Sequence, residues 1–253
     1  MDLNLSRMQS GRGMSMHTPI YLALDFPDWE QTNRFIESNE LQGVPVKVGM
    51  ELFYREGAKV IEKLKENNHP IFLDLKLHDI PTTVHKAMKN IAKLGVDITN
   101  VHAIGGNEMI MAAKEGLLEG AGTNKVPKLI AVTLLTSMDV DTLQNEIKID
   151  ASIEDTVLRL AKLTRQSGGD GVVCSAHEAA IIKQACGEDF LTLTPGIRLS
   201  DSDQNDQKRI ATPAFAKQNG ADTIVIGRSV TKALHPQEAY QRAMEEWSNV
   251  AKA

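Results

Sequence analysis

The stretch Phe72-Leu-Asp-Leu-Lys-Leu-His-Asp-Ile-Pro81 places charged side chains in a run that otherwise has the composition of a buried strand. Strand side chains alternate between two faces, so Asp74 and Lys76 are predicted to share one face while the leucines around them occupy the other. Burying an ion is costly unless it is paired. The pattern therefore indicates either a structural ion pair or a site that acts on charge.

Short apolar runs of this kind alternate along the chain with longer amphipathic segments, as in repeated βα units around a parallel sheet. The predicted strands span residues 20–24, 44–48, 71–75, 98–101, 128–133, 171–174, 190–194 and 223–226. The predicted helices span residues 29–40, 51–67, 82–94, 107–119, 153–167, 176–185, 213–219 and 237–251. Gly95 and Gly220 suit helix C-termini, and Pro213 and Pro236 suit first helical turns. Eight such units predict an α/β fold, a closed (β/α)8 TIM barrel.

An open doubly wound sheet is the alternative architecture. It would need a glycine-rich dinucleotide fingerprint after an early strand, and the sequence has none there. A chain of 253 residues has the size of one barrel, so we expect residues 18–253 to form a single domain. Residues 1–17 have no apolar core segment, and we expect them to be a disordered leader or a cloning remnant.

The bulk composition argues against several classes of partner. The formal net charge of -5 gives no electrostatic case for nucleic acid or an anionic membrane. No apolar run approaches the roughly 18 residues that a membrane span needs. With only two cysteines, Cys174 and Cys186, a disulfide framework is not expected, and a reducing cytoplasm is the predicted location.

Further charged residues stand at predicted strand ends, where the chemistry of a barrel is found. Asp25 follows the first strand, Lys47 lies on the second, and Asp79 follows the third. Carboxylates beside an ammonium group favour its charged form, so a lysine in this array is predicted to donate a proton rather than to attack as an amine. A salt-bridge network that merely closes the barrel is the structural alternative.

A phosphate site is predicted after the eighth strand, in Ile224-Val-Ile-Gly-Arg-Ser229. Gly227 offers an accessible backbone N–H, and Arg228 offers a planar set of donors that matches phosphate. Barrels often bind phosphate after strands seven and eight.

The segment Thr194-Pro-Gly-Ile-Arg198 follows the seventh strand and leads into a polar stretch, residues 199–207. This stretch has no apolar periodicity and indicates a loop. As a lid, it would close Arg198 and Gln207 on a phosphorylated ligand, whereas an ordinary exposed loop is the alternative.

Thr136 and Ser137 follow the fifth strand and offer hydroxyls that suit the polar edges of a flat ring, although such residues are also common in turns. The seven histidines show no spacing typical of metal ligands, so no metal site is predicted.

Together these motifs resemble the orotidine 5'-phosphate decarboxylase family. The family's Asp-x-Lys-x-x-Asp-Ile-Pro motif matches residues 74–81, and Thr83 follows it. The other matching residues, in chain order, are Thr136, Ser137, Pro195, Arg198, Gln207, Gly227 and Arg228. The similarity runs from about Ile20 to the C-terminus.

The resemblance implies decarboxylation of orotidine 5'-phosphate to uridine 5'-phosphate without a cofactor, the last step of pyrimidine nucleotide synthesis. It implies a homodimer in which Asp79 and Thr83 reach the partner's active site. Asp74 would lie near the departing carboxylate, and Lys76 would give the proton to C6. The substrate-binding residues would be Asp25, Lys47, Ile80, Thr83, Thr136, Ser137, Pro195, Arg198, Gln207, Gly227 and Arg228.

Two alternatives stay open at this point. A related barrel enzyme acting on sugar phosphates would hold Mg²⁺ through a carboxylate on the second strand, where this chain has Lys47. A nucleotide sensor without chemistry would keep Arg228 and the lid. Such a sensor would have no need for an intact Asp74 and Lys76.

Overall fold

Eight parallel strands close into a barrel in the computed structural model, which describes residues 19–200 and 211–249. The strands are β1 (Ile20–Ala23), β2 (Val46–Val48), β3 (Ile71–Leu77), β4 (Ile98–His102), β5 (Lys128–Val132), β6 (Gly171–Val173), β7 (Leu191–Ile197) and β8 (Thr223–Ile226). Each strand pairs with the next, and β8 pairs with β1, so the sheet has no free edge. The predicted (β/α)8 barrel is confirmed, while the expected leader lies outside the described residues.

The α-helices of the described residues surround this barrel. They are α1 (Trp29–Ser38), α2 (Met50–Glu56), α3 (Ala58–Glu66), α4 (Pro81–Lys93), α5 (Gly106–Ala121), α6 (Ile153–Gln166), α7 (Ala179–Cys186), α8 (Pro213–Gln218), α9 (Arg228–Thr231) and α10 (Pro236–Ser248). Pro213 and Pro236 occupy first helical turns, as predicted. Gly95 and Gly220 follow helix ends with positive φ values of 68° and 84°, which also matches the prediction.

The prediction of one helix over residues 51–67 is wrong. Gly57 has φ 66° and ψ -153°, a conformation that is essentially restricted to glycine and that interrupts the helical hydrogen bonds. Its N–H bonds to the carbonyl of Phe53 and ends α2, and the same residue then precedes α3. The apolar periodicity continues across the break, so the pattern alone predicts a single helix.

Alternating side chains of the strands build two apolar layers. One set fills the inside of the barrel: Tyr21, Ala23, Phe72, Ile98, Ile130, Val132, Val173, Leu193 and Val225. The other set, which includes Leu22, Leu73 and Val101, belongs to the larger core shared with the helices. Because all strands are parallel, their carboxyl ends meet at one rim, and the residues that follow the inner layer there face a common mouth.

Candidate active site

Two adjoining cavities open at the carboxyl ends of the strands. The first, called here the arginine cavity, measures about 340 Å³ and is lined by Ala23, Asp25, Lys47, Asp74, Pro195, Gly196, Arg198, Val225, Gly227 and Arg228. The second, the lysine cavity, measures about 190 Å³ and is lined by Lys47, Phe72, Asp74, Lys76, Val132, Leu134, Leu135, Thr136, Val173, Leu193, Pro195 and Val225. Both share Lys47, Asp74, Pro195 and Val225, so they form one continuous site. Together they have the size of a small-molecule site, roughly 300–1,000 Å³.

A chain of alternating charges crosses the boundary between the two cavities. Lys47 Nζ lies 2.8 Å from Asp25 Oδ1 and 3.6 Å from Asp74 Oδ2. Lys76 Nζ lies 2.7 Å from Asp74 Oδ1. The structure therefore brings together four of the predicted site residues, and Asp74 is the carboxylate that joins the two lysines.

The Asp74 carboxyl is held in its charged form. Burial acts to raise its pKa, but the ammonium groups of Lys47 and Lys76 and the hydrogen bonds from Lys76 and Asn100 outweigh burial. The pKa of Asp74 consequently lies below the ordinary value of 3.8. A fixed negative charge thus stands beside Lys76 at the floor of the lysine cavity.

The backbone of Lys76 departs from a regular strand. Its φ is 53°, in the left-handed region that residues with a side chain adopt rarely. The register between β3 and β4 shifts in the same place, because Leu73 pairs with Thr99 whereas Leu77 pairs with Val101. Asp74 and Lys76 meet as the alternation predicted, but they meet across an irregular segment that the alternation does not describe.

The predicted phosphate-binding residues that are described line the arginine cavity. Gly227 precedes α9 at the end of β8, and Arg228 is the first residue of that helix. Arg198 is buried and donates from Nη1 to the carbonyl of Ile197 at 3.0 Å. Gln207 lies outside the described residues, so its predicted place on the lid stays a prediction.

Four predicted site residues are not in the lining of either cavity: Asp79, Ile80, Thr83 and Ser137. All four are exposed, and Ile80 keeps 67% of its surface accessible. Asp79 accepts the Ile80 N–H at 2.6 Å, just before α4 begins. Thr136, the chain neighbour of Ser137, does line the lysine cavity. A single chain thus leaves the Asp-Ile-Pro end of the motif on its surface.

Two residues of the site were missed by the sequence analysis. Asn100 is fully buried in β4 and donates from Nδ2 to Asp74 Oδ1 at 2.7 Å. Gly49 leaves room for the lysine of β2, since a Cβ there would lie 2.9 Å from Lys47 Nζ. A signal for Asn100 was available, because a polar side chain two residues after Ile98 falls on the inner face of a predicted strand.

A pair of histidines stands beside this network. The rings of His78 and His102 are 5.8 Å apart. Burial lowers the pKa of His102, and the charges of His78 and Lys76 lower it further against the opposing effect of Asp74.

Within residues 19–200 and 211–249, no three or more His, Cys, Asp or Glu side chains are grouped so as to hold a metal ion. None of the helices described has the length and apolar character to cross a membrane.

Comparison with known proteins identifies the family. The family described as "Orotidine 5'-phosphate decarboxylase / HUMPS family" matches residues 18–243. The orotidine 5'-phosphate decarboxylase of Bacillus pumilus (strain SAFR-032) is 54% identical over 232 residues, which are 91% of this chain and 99% of that protein. The enzyme of the same name from Bacillus cytotoxicus is 50% identical over 236 residues, 93% of this chain and 99% of that protein.

Solved structures agree with the sequence relatives. The crystal structure of orotidine 5'-phosphate decarboxylase from Lactobacillus acidophilus aligns with a TM-score of 0.81 and 45% identity, covering 91% of this chain and 99% of that chain. The fold, the order of the motifs and the identity over nearly the whole of these relatives point the same way. The chain belongs to the orotidine 5'-phosphate decarboxylase / HUMPS family.

Proposed function

We propose that this protein decarboxylates orotidine 5'-phosphate to uridine 5'-phosphate and CO₂. The observation that carries the proposal is the pair of joined cavities, one with Arg198 and Arg228 and one with Lys76, which share Lys47 and Asp74. A nucleotide has the same order of parts: a phosphate, a ribose and a flat ring. The names of the relatives above support the same substrate.

The arginine cavity suits the phosphate. The guanidinium groups of Arg198 and Arg228 supply donors that match phosphate oxygens, and the Gly227 backbone lies beside them. Binding energy gained here is remote from the reacting carbon, so it is available for closing the site and excluding water. In this proposal Gln207 closes on the phosphate from the lid.

The shared boundary suits the ribose, whose hydroxyls both donate and accept hydrogen bonds. Asp25 offers a carboxylate and Lys47 an ammonium group, held 2.8 Å apart at this boundary. The lysine cavity beyond it has Phe72, Val132 and Leu193 as apolar walls for the ring, with Thr136 as a polar group. Pro195 lines both parts of the site, and Ser137, the chain neighbour of Thr136, is proposed to bind the polar edge of the ring.

Lys76 is the proposed proton donor. When the bond from C6 to the carboxylate breaks, its electron pair stays on C6 and CO₂ leaves. The ammonium group of Lys76 stabilises this carbanion and then gives it a proton, and the neutral lysine regains a proton from solvent. The overall reaction consumes one proton and needs no cofactor. Asp74, whose Oδ1 lies 2.7 Å from Lys76 Nζ, holds the proposed proton donor in place.

Asp74 is proposed to face the substrate carboxylate. Its pKa lies below the ordinary value, so two negative charges would be crowded in one cavity until CO₂ departs. Relief of that repulsion favours the forward step. The same charge also attracts the Lys76 ammonium group, so it acts on both partners of the reaction.

Asp79 and Thr83 are proposed to act in the active site of a second copy. Their exposure around the start of α4 supports this, because their polar side chains are available to another chain. Ile80, which is exposed between them, is proposed to bind the substrate. The homodimer, the cytoplasmic location and the place at the end of pyrimidine nucleotide synthesis belong to this proposal.

The metal-dependent sugar-phosphate reaction is less well supported. It would need a carboxylate on β2, and the corresponding position holds Lys47, whose ammonium group lies against Asp25 and Asp74. A divalent cation at this place would meet a like charge.

The decisive experiment follows the ultraviolet absorbance of orotidine 5'-phosphate mixed with the purified protein, with and without EDTA. We expect turnover that is equal in both samples. Binding without turnover would instead indicate a nucleotide sensor, and turnover that EDTA abolishes would indicate a metal-dependent site.

The shared site has its own test. We expect Lys76→Ala and Asp79→Ala homodimers to be inactive by themselves, and their mixture to regain activity, because a mixed dimer contains one intact site. Subunit exchange is verified with two differently tagged chains. Proven exchange without recovered activity would exclude a site completed by the partner.

A further inference from the structure

Asn100 occupies the place where the β3–β4 pairing is irregular. Leu73 and Leu77 of β3 pair with Thr99 and Val101 of β4, so three residues of β3 stand opposite the single residue Asn100. A regular ladder would satisfy the N–H groups of β3 with backbone carbonyls. Here the Lys76 N–H donates instead to the side-chain Oδ1 of Asn100 at 2.8 Å.

The other end of the same amide binds the charge network. Asn100 Nδ2 donates to Asp74 Oδ1 at 2.7 Å, and this oxygen also accepts from Lys76 Nζ at 2.7 Å. The two contacts fix the direction of the amide, because the flipped amide would set N–H against N–H and oxygen against carboxylate. Asn100 is 0% exposed, so water does not substitute for either bond.

We propose that Asn100 is the positioning residue for the proton donor. It holds the Lys76 backbone in its left-handed conformation and holds the Asp74 carboxylate in one orientation, which together aim the ammonium group into the lysine cavity. Asn100 is absent from the lining of that cavity, so it acts through its two neighbours. This inference rests on the proposed decarboxylase function for its kinetic part and on geometry for its structural part.

An amide is the side chain that this position requires. The left-handed backbone is energetically costly for a residue with a side chain and persists only where its surroundings enforce it. An aliphatic side chain would leave a buried N–H unpaired, and a carboxylate would face a second carboxylate. The charged and titratable groups around this point are Asp74 and Lys76 of β3, Lys47 of β2, His102 of β4 and His78 of the following loop.

The test compares the wild type with Asn100→Ala, Asn100→Asp and the control Thr99→Val. Thr99 is also fully buried in β4, on the opposite face, and its hydroxyl has no hydrogen-bond partner within the described part of the chain. For Asn100→Ala we expect kcat for orotidine 5'-phosphate to fall about 100-fold, as for a misplacement of about 1 Å, with KM changed less than about threefold. Thr99→Val should keep kcat within about twofold.

The pH dependence of kcat in Asn100→Asp distinguishes a positioning role from a merely structural one, because a structural role would leave this dependence unchanged. Two adjacent carboxyl groups raise one of their pKa values, so the introduced carboxyl group and that of Asp74 would share a proton. While this proton is bound, the introduced group can donate to Asp74 and accept from the Lys76 N–H, as the native amide does. We therefore expect the kcat of Asn100→Asp to be closest to wild type at low pH and to fall as pH rises, with no matching fall in the wild type. This variant also decides the matter if Asn100→Ala does not fold.

Three results would overturn the inference: a kcat within about threefold of wild type for Asn100→Ala, an equal loss in Thr99→Val, or parallel pH profiles for Asn100→Asp and wild type. If the wild type itself does not convert orotidine 5'-phosphate, the proposed function fails. The positioning role is then judged from a crystal structure of Asn100→Ala. An unchanged Lys76 φ and an unchanged Lys76–Asp74 distance would reject it.

Discussion

Two lysine–aspartate pairs lie at opposite ends of the same barrel and differ in how many donors of the lysine are bonded. At the base, Lys183 of α7 lies 2.6 Å from Asp222, and it donates to the carbonyls of Glu188 and Phe190 at 2.8 and 3.0 Å. All three donors of this ammonium group are therefore used. At the mouth, the Lys76 ammonium group binds only Asp74 among the described residues. Its remaining hydrogen-bond donors face the lysine cavity.

The comparison separates a structural pair from the pair that is proposed to react. Lys183 at the base is 6% exposed, and groups of the same chain bind all of its hydrogen-bond donors, so no further partner is needed there. The mouth lysine is 25% exposed and incompletely satisfied. A charge array by itself does not indicate chemistry, whereas unused donors aimed at a cavity do.

The largest effect is expected from Lys76→Ala. We predict that kcat falls about 10³-fold, within the usual range for loss of a general acid, because the proposed proton donor and its charge are removed. Binding of uridine 5'-phosphate should weaken less than about tenfold, since the arginine cavity is intact. Turnover and calorimetric titration measure the two quantities, and near-normal turnover would refute the assignment of Lys76.

The reverse pattern is expected for Lys183→Met. Removing one partner of a buried pair leaves the Asp222 charge uncompensated, and the free energy of unfolding should fall by about 3–5 kcal/mol. The kcat of the folded protein should stay within about twofold of wild type. Urea denaturation and turnover measure these.

The double variant Lys183→Met/Asp222→Asn is the matched control for this change. It removes both charges and should recover most of the lost stability. A large loss of kcat in folded Lys183→Met would show that the base and the mouth are not separate in function, and would break the comparison.

A smaller, pH-dependent effect is expected from Asp170, another carboxylate at the base. Burial acts to raise its pKa, but the hydrogen bonds from Lys114 and Leu129 and the charges of Lys114 and Lys128 outweigh burial, so the pKa lies below 3.8. A carboxyl group whose pKa is lower in the folded state than in the unfolded state stabilises the fold fully at pH values above its unfolded-state pKa. That contribution is lost as the pH falls through the folded-state pKa.

The difference in the free energy of unfolding between wild type and Asp170→Asn should therefore be largest near pH 6 and should shrink below about pH 4. Urea unfolding at a series of pH values measures it. Asp150→Asn, at an exposed loop position, is the control and should differ from wild type by no more than about 0.5 kcal/mol throughout. A gap for Asp170→Asn that does not change with pH would contradict the assigned charge state.

Much of the fold was predictable because it depends on patterns that are local in the chain. The strand order, the helix ends at Gly95 and Gly220 and the first turns at Pro213 and Pro236 all follow from apolar periodicity and backbone preference. The break at Gly57 was not predicted, since helical periodicity on both sides of a glycine does not reveal its φ. The close approach of α4 and α5 was also missed, although Gly116 and Gly120 leave no space for a Cβ against the backbone of α4.

The candidate site divides in the same way. Asp25, Lys47, Asp74 and Lys76 were predictable, because charges at the ends of buried strands need partners and the ends of parallel strands meet. Asn100 was missed although its place on the inner face of a predicted strand was a signal, and its two contacts depend on an irregular pairing between β3 and β4 that the alternation does not describe. The positions of Asp79 and Thr83 depend on a second chain in the proposal, and one chain places them only on its surface.

The sequence by itself determined the class of fold, the inventory of charges and the order of the motifs, since periodicity and residue chemistry are properties of the linear chain. Only the tertiary structure decided which charges are satisfied and which face a cavity. Hydrogen-bond capacity is filled by groups distant in sequence, as Asn100 fills that of Lys76 and Asp74 across 24 and 26 residues. Pairing of β3 with β4 brings those groups within bonding distance, and the parallel direction of the strands places one lysine–aspartate pair at the mouth and the other at the base.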